Sequence, residues 1–163
     1  MVESGLIFWR IPFRAAGPRP VGEVTGALGA HLAQTRFGVG ERMVGRLEGQ
    51  RLRVWRKSFA SFAGDVVEFD GTVREEKGET VIEGAMQYKF SAKVQFVGLL
   101  ILGGILALAG MLRYFANGEA ELRAFGLGAL IFVGSWVWVY SSSQTKGDQI
   151  RYLEGRLKGF VDV

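Results

Sequence analysis

Basic side chains with a tryptophan among them form the densest group of residues in this sequence that could bind a charged partner. Six of them fall between positions 42 and 57: Arg42, Arg46, Arg51, Arg53, Arg56 and Lys57. In a strand, side chains alternate between two faces, so Arg51, Arg53 and Trp55 are expected on one face. Such a face suits anionic lipid headgroups or an acidic partner, and a solvated strand face is the alternative. The predicted lipid- or partner-binding residues are Arg46, Arg51, Arg53, Trp55 and Arg56.

The remaining polar residues predict no catalytic, cofactor or metal site. The chain has no Cys and one His, His31, which excludes cysteine nucleophiles and multi-histidine metal sites. Ser58 and Ser61 lack the flanking residues of known nucleophile motifs. Four acidic residues surround Lys77-Gly78, where a hairpin tip is expected rather than a catalytic carboxylate pair; these are Glu75, Glu76, Glu79 and Glu83. We therefore expect a protein that is not an enzyme and holds no cofactor.

Two long apolar runs predict a transmembrane hairpin. Val94–Leu112 has 19 residues with only Gln95 polar, and Ala124–Tyr140 has 17 with only Ser135 polar inside. At 1.5 Å per residue the first run spans roughly 28 Å as a helix, close to the ~30 Å of a bilayer core. Neither run contains a charge, which argues against a proton relay or an ion pathway.

The basic residues around the runs predict their orientation. Residues 74–93 and 141–160 together contain eight Lys and Arg, whereas the connecting segment contains two, Arg113 and Arg123. The positive-inside rule then places both termini in the cytoplasm and the short connection outside. The net charge of residues 1–93 is small, with 14 basic and 11 acidic side chains, so no nucleic-acid partner is expected.

Small residues in the apolar runs are candidates for helix packing. They let two helix backbones approach closely, either within the hairpin or against another membrane protein. The candidates are Gly103, Gly104, Ala107, Gly126, Gly128 and Gly134. Packing within the hairpin and packing on an external helix both remain open, as does a homo-oligomer.

The rest of the chain predicts a small antiparallel β-domain. The apolar segment Leu6–Phe13 favours an edge strand that covers the core, and a peripheral segment in the lipid headgroup layer with Arg10 and Arg14 is the alternative. Arg42–Leu47 and Arg51–Trp55 flank a tight turn at Gly49. Val66–Phe69 runs into a turn signal at Asp70-Gly71, and a long alternating strand leads from Ile82 to Val94. After the second run, a polar exit at 141–145 precedes a short amphipathic helix with Ile150, Leu153, Leu157 and Phe160 at helical spacing.

The run FDGTVREEKGETVIEG, Phe69 to Gly84, is followed by an alternating strand, two apolar runs and a terminal helix. In this order of elements, residues 40–163 resemble small bacterial membrane proteins of uncharacterised function, in which a β-domain carries an inserted two-helix hairpin. The resemblance implies that arrangement and a bacterial inner (cytoplasmic) membrane. It implies no activity and no functional residues.

The sequence therefore predicts an α+β membrane protein with five parts. Residues 1–93 form a cytoplasmic β-rich domain, 94–116 and 124–141 two transmembrane helices, 117–123 an extracytoplasmic loop, and 142–163 a tail whose helix packs on the β-domain. We expect a non-catalytic interaction protein, either an accessory subunit of a membrane complex or an immunity protein that neutralises a toxin. The alternative function is a module that binds anionic lipids through the basic strand face.

Overall fold

The computed structural model describes residues 9–35, 40–58, 65–117 and 122–162. Its contacts divide the chain into two units. We call Met1–Lys89 with Ser142–Val163 the sheet domain, and Phe90–Ser141 the helix pair. The described residues form five antiparallel strands and three helices, which confirms the predicted α+β class and antiparallel sheet.

The sheet has the strand order β1-β5-β4-β3-β2. Its strands are β1 (Arg10–Gly17), β2 (Arg42–Glu48), β3 (Arg51–Lys57), β4 (Val67–Glu76) and β5 (Glu79–Tyr88). Positive φ angles at Gly49 (60°) and at Lys77 and Gly78 (55° and 84°) form the tight turns of the β2–β3 and β4–β5 hairpins. Both turns lie where the sequence predicts them.

The predicted turn at Asp70-Gly71 is wrong, because β4 continues through it. Gly71 lies opposite Gly84 of β5 in the register. A Cβ on either glycine would come within 2.4–2.8 Å of the Phe69 ring. The two glycines therefore make room for a buried aromatic ring in the middle of the sheet, rather than ending a strand.

The sequence pattern does not predict one helix of the sheet domain. This helix, α1 (Val21–Gln34), contains Gly22, Gly26 and Gly29, which lower helix propensity. It buries Val24, Leu28 and Leu32, which recur every four residues on one face. Its contacts with β2, β4 and β5 bring this apolar face to the sheet.

The remaining helices are longer than the sequence predicts. Helix α2 (Phe90–Asn117) begins four residues before Val94, so the alternating strand ends at Tyr88. Helix α3 (Leu122–Val161) is continuous over 40 residues. The predicted separate C-terminal helix, with a polar exit before it, is therefore wrong. Thr145 does not cap a new helix, since its hydroxyl donates to the carbonyl of Ser142 one turn earlier.

The C-terminal part of α3 completes the core of the sheet domain. Leu153, Leu157 and Val161 are fully buried. The Gln149 side chain is also buried, and its Oε1 accepts hydrogen bonds from the backbone N–H groups of Val66 (3.1 Å) and Val67 (3.0 Å). These bonds satisfy two donors at the start of β4 that would otherwise be buried without a partner.

Replacement of Gln149 by leucine should destabilise the sheet domain. The leucine would keep much of the side-chain volume and leave the amides of Val66 and Val67 unpaired, at a cost of about 1–3 kcal/mol. We expect this loss in chemical unfolding of the detergent-solubilised protein, followed by circular dichroism. Lys158→Ala, at an exposed position of the same helix, is the control, and an equal loss in both variants would contradict the role of the amide.

Candidate functional site

The sheet register brings four of the five predicted binding residues to one face. Arg46 of β2 lies opposite Arg53 of β3, and Arg53 lies opposite Asp70 of β4. Arg51 and Trp55 are two residues to either side of Arg53 on the same strand, so their side chains share its face. We call this the outer face of the sheet.

The fifth predicted residue, Arg56, points to the opposite side. Its Nε lies 3.1 Å from a carboxylate oxygen of Glu41 and 3.9 Å from one of Asp65. Its guanidinium carbon lies 5.8 Å from the centre of the Tyr152 ring of α3. Arg56 is therefore held inside the sheet domain by acidic and aromatic neighbours, and it is not part of the outer face.

Asp70 binds two of the outer-face arginines. It accepts hydrogen bonds from Arg51 (3.1 and 3.3 Å) and from Arg53 (2.8 Å). Burial of Asp70 acts to raise its pKa, but these hydrogen bonds and the two positive charges outweigh that effect, and the pKa is lowered. Asp70 therefore remains charged and neutralises part of the positive charge of this face, which the sequence spacing does not reveal.

A second polar group lies at the end of the sheet where the chain leaves for α2. Lys89 is the last residue before that helix, and its ammonium lies 4.9 Å from the centre of the Trp55 ring. Burial lowers the pKa of Lys89 to about 8, with a further lowering by Lys57 against the opposing charges of Asp65 and Glu68. Glu68 is itself buried, and burial raises its pKa.

A cavity of about 780 Å³ adjoins this group. Consecutive residues of the edge strand β2 line it together with one side of α1 and the last residues of β3. Its lining consists of Gly29, Leu32, Ala33, Val44, Gly45, Arg46, Leu47, Trp55, Arg56, Lys57, Asp65 and Lys89. The lining combines apolar and basic side chains. The sequence pattern does not predict this cavity, because it does not reveal α1.

Three of the other polar candidates, Glu76, Glu83 and His31, have structural partners. Glu76 and Glu83, next to the β4–β5 turn, form ion pairs with Arg14 and Arg74. The His31 ring packs edge-on against Phe160, and burial lowers its pKa, as does the charge of Arg156. Ser61 lies outside the described residues. Within the described residues, no group of three or more His, Asp or Glu side chains could hold a metal ion.

The structure separates the predicted helix-packing residues into two sets. A Cβ on Gly128 would lie 2.5 Å from the backbone N of Ala107 and 2.8 Å from the carbonyl of Gly103, so these three residues form a close contact between α2 and α3. A Cβ on Gly104, Gly126 or Gly134 would meet nothing within 4 Å. Packing within the helix pair thus uses the first set and leaves the second set open.

The helix pair exposes its large apolar side chains. All 18 exposed large apolar side chains of the described residues belong to Phe90–Ser141, among them Ile105, Leu130 and Val137. By length and composition, Phe90–Arg113 and Phe125–Val161 are each apolar enough to cross a membrane.

Comparisons with known proteins give no family and no function. No protein-family model matches the chain, and no curated protein matches it. The crystal structure of CalU16 from Micromonospora echinospora is similar with a TM-score of 0.34 and 19% sequence identity, over 80% of this chain and 88% of that chain. The resemblance to bacterial membrane proteins with an inserted hairpin stays a prediction.

The close contact between α2 and α3 predicts a difference between two glycine variants. Gly128→Leu should lower the stability of the helix pair by about 1–3 kcal/mol, because its side chain would overlap the backbone of α2. Gly126→Leu, two residues away in open space, is the matched control and should change little. The measurement is loss of helix on titration with a denaturing detergent, and equal curves for the two variants would contradict the described packing.

The lowered pKa of Lys89 predicts a pH-dependent stability. Between pH 8 and pH 10.5 the unfolded chain binds more protons at this residue than the folded chain, so the free energy of unfolding rises with pH. Relative to a Lys89→Met variant, the protein should gain on the order of 2 kcal/mol across this range. Lys158→Met, at an exposed lysine, is the control. If the difference in free energy of unfolding between the unmodified protein and Lys89→Met does not change with pH, the effect assigned to Lys89 is wrong.

Proposed function

We propose that the protein is an integral membrane protein whose helix pair lies in the bilayer and whose sheet domain presents a surface to a partner. The observation that supports membrane insertion is the distribution of exposed apolar side chains. In a soluble protein, contiguous exposed apolar patches are small, whereas here the 18 exposed large apolar side chains are confined to two adjacent helices. Insertion into lipid removes this surface from water without any further protein.

The interaction role rests on what the rest of the chain offers. The described residues contain no group of three or more His, Asp or Glu side chains that could hold a metal ion, and the acidic residues beside the predicted binding residues, Asp65 and Asp70, lie in ion pairs with arginines. The open glycines Gly104, Gly126 and Gly134 allow a helix of another membrane protein to approach closely. We therefore propose a non-catalytic role, as an accessory subunit of a membrane complex or as an immunity protein against a toxin.

The alternative function is binding of anionic lipids through the outer face. The outer face is less suited to this function than the number of its arginines in the sequence indicates. A module that binds anionic lipids through Arg51 and Arg53 must compete with Asp70, which already accepts hydrogen bonds from both. In the register, Arg51 lies opposite Thr72, and Thr72 opposite Glu83, five residues before the end of β5. That distance is about 17 Å along the strand, so Arg51 lies far from the point where the chain leaves for α2.

We propose the inner membrane of a bacterium, as the resemblance implies, with both termini in the cytoplasm, as the distribution of basic residues predicts. The chain has no natural cysteine, so a single introduced cysteine reports its own position. An Asn117→Cys variant should react with a membrane-impermeant maleimide in spheroplasts, whereas Lys158→Cys should react only after lysis. The reverse pattern would show the opposite orientation, and reaction of both in intact spheroplasts would contradict the hairpin.

The partner is tested by affinity purification of the tagged protein from membranes in a mild detergent, followed by mass spectrometry. We expect a stoichiometric protein partner, whose identity distinguishes a membrane complex from a toxin. Gly126→Leu should reduce recovery of that partner if a helix docks on the open glycines. Recovery of the protein alone at native abundance would contradict the interaction role.

A further inference from the structure

The cavity at the edge of β2 combines apolar and basic side chains from both faces of the sheet, with Arg46 and Trp55 on the outer face and Arg56 on the opposite one. Leu32 and Ala33 of α1 and Leu47 of β2 supply apolar surface, whereas Arg46, Lys57 and Lys89 supply positive charge. Its volume of about 780 Å³ falls within the range of about 300–1,000 Å³ that is typical of ligand sites. This combination is suited to a molecule with an anionic head and an apolar chain.

The positive charge of the cavity is incompletely neutralised. Arg56 and Asp65, which also line it, are engaged with each other and with Glu41. In the part of the chain that the structure describes, neither Arg46 nor Lys57 forms an ion pair. Lys89 is attracted by Asp65 and Glu68 and repelled by Lys57. An anion bound between the two lysines would relieve that repulsion.

The position of the cavity indicates where the ligand comes from. Lys89, in its lining, is the residue directly before α2, and the ring of Trp55 lies beside the Lys89 ammonium. If α2 enters the bilayer from Phe90, as the proposed function requires, Lys89 lies at the level of the lipid headgroups, where lysine and tryptophan side chains are common.

We propose that this cavity binds an anionic phospholipid, with the phosphate at Lys57 and Lys89, the rest of the headgroup reaching along β2 to Arg46, and an acyl chain passing the edge of β2 to α1. This inference rests on the proposed membrane insertion. The cavity shares Arg46 and Trp55 with the outer face. Binding there differs from binding through Arg51 and Arg53, because it also requires the space beside α1. A free phosphate ion would satisfy the basic side chains but would leave the apolar side chains unused.

The test uses the full-length protein in a neutral detergent, with thermal unfolding as the readout. Addition of phosphatidylglycerol should raise the unfolding temperature, whereas phosphatidylcholine and inorganic phosphate should not. Gly29→Trp should abolish the response, because Gly29 lines the cavity and has open space in front of it. Gly26→Trp, one turn earlier on α1, also in open space and outside the lining, should keep the response.

A second pair of variants covers the case in which a tryptophan prevents folding. The double variant Arg46→Gln and Lys57→Gln should weaken phosphatidylglycerol binding by on the order of tenfold or more, whereas Arg51→Gln with Arg74→Gln, at exposed positions outside the cavity, should not. An equal response of the two double variants would overturn the cavity site, as would an unchanged response of Gly29→Trp. A shift produced equally by inorganic phosphate would overturn the assignment to a lipid.

A separate experiment tests the membrane insertion on which the proposed function depends. Release of the protein from membranes by alkaline carbonate would show that the helix pair is not inserted. Retention after carbonate, together with no effect of phosphatidylglycerol on the unmodified protein, would preserve the membrane insertion and overturn the lipid site alone.

Discussion

The amide of Gln149 connects parts of the sheet domain that are more than 80 residues apart in the chain. Its oxygen satisfies the first amides of β4, while Leu153 and Leu157 on the same helix are buried without any exposure. Because unpaired buried amides are costly, the start of β4 depends on this helix. The sheet domain is therefore not an independent N-terminal domain followed by a tail, since its core needs the chain on both sides of the helix pair.

The charges of the sheet domain are arranged by the same topology. In the middle of the outer face, Asp70 takes up two arginines that look free in the sequence. The positive charge of the arginine-rich strand β3 is therefore partly neutralised in the middle of the outer face. At the end of the sheet, the charges of Lys57 and Glu68 both act on Lys89. Glu68 is buried, and burial raises its pKa.

Local patterns in the sequence predict the β2–β3 and β4–β5 hairpins, because strand alternation and turn glycines act over a few residues. Helix α1 is missed because Gly26 and Gly29 obscure the four-residue spacing of Val24, Leu28 and Leu32. The Asp70-Gly71 turn is predicted wrongly, since only tertiary structure shows that Phe69 needs the space over Gly71. The sequence shows which residues of α2 and α3 are small enough for close packing. Which of them pack together depends on which face each helix turns toward the other, and the sequence does not show this.

The ends of the sheet domain meet where the helix pair begins and ends. The hydroxyl groups of Tyr88 and Ser142 are hydrogen-bonded at 2.7 Å, and the Trp9 ring packs edge-on against Tyr88. The 52-residue stretch Phe90–Ser141 therefore has the geometry of an inserted segment, whose two junctions with the host domain are neighbours in space. Because the two junctions are this close, an in-frame deletion of the segment would leave chain ends that a short turn can join, and the β-sheet scaffold would keep both parts of its core.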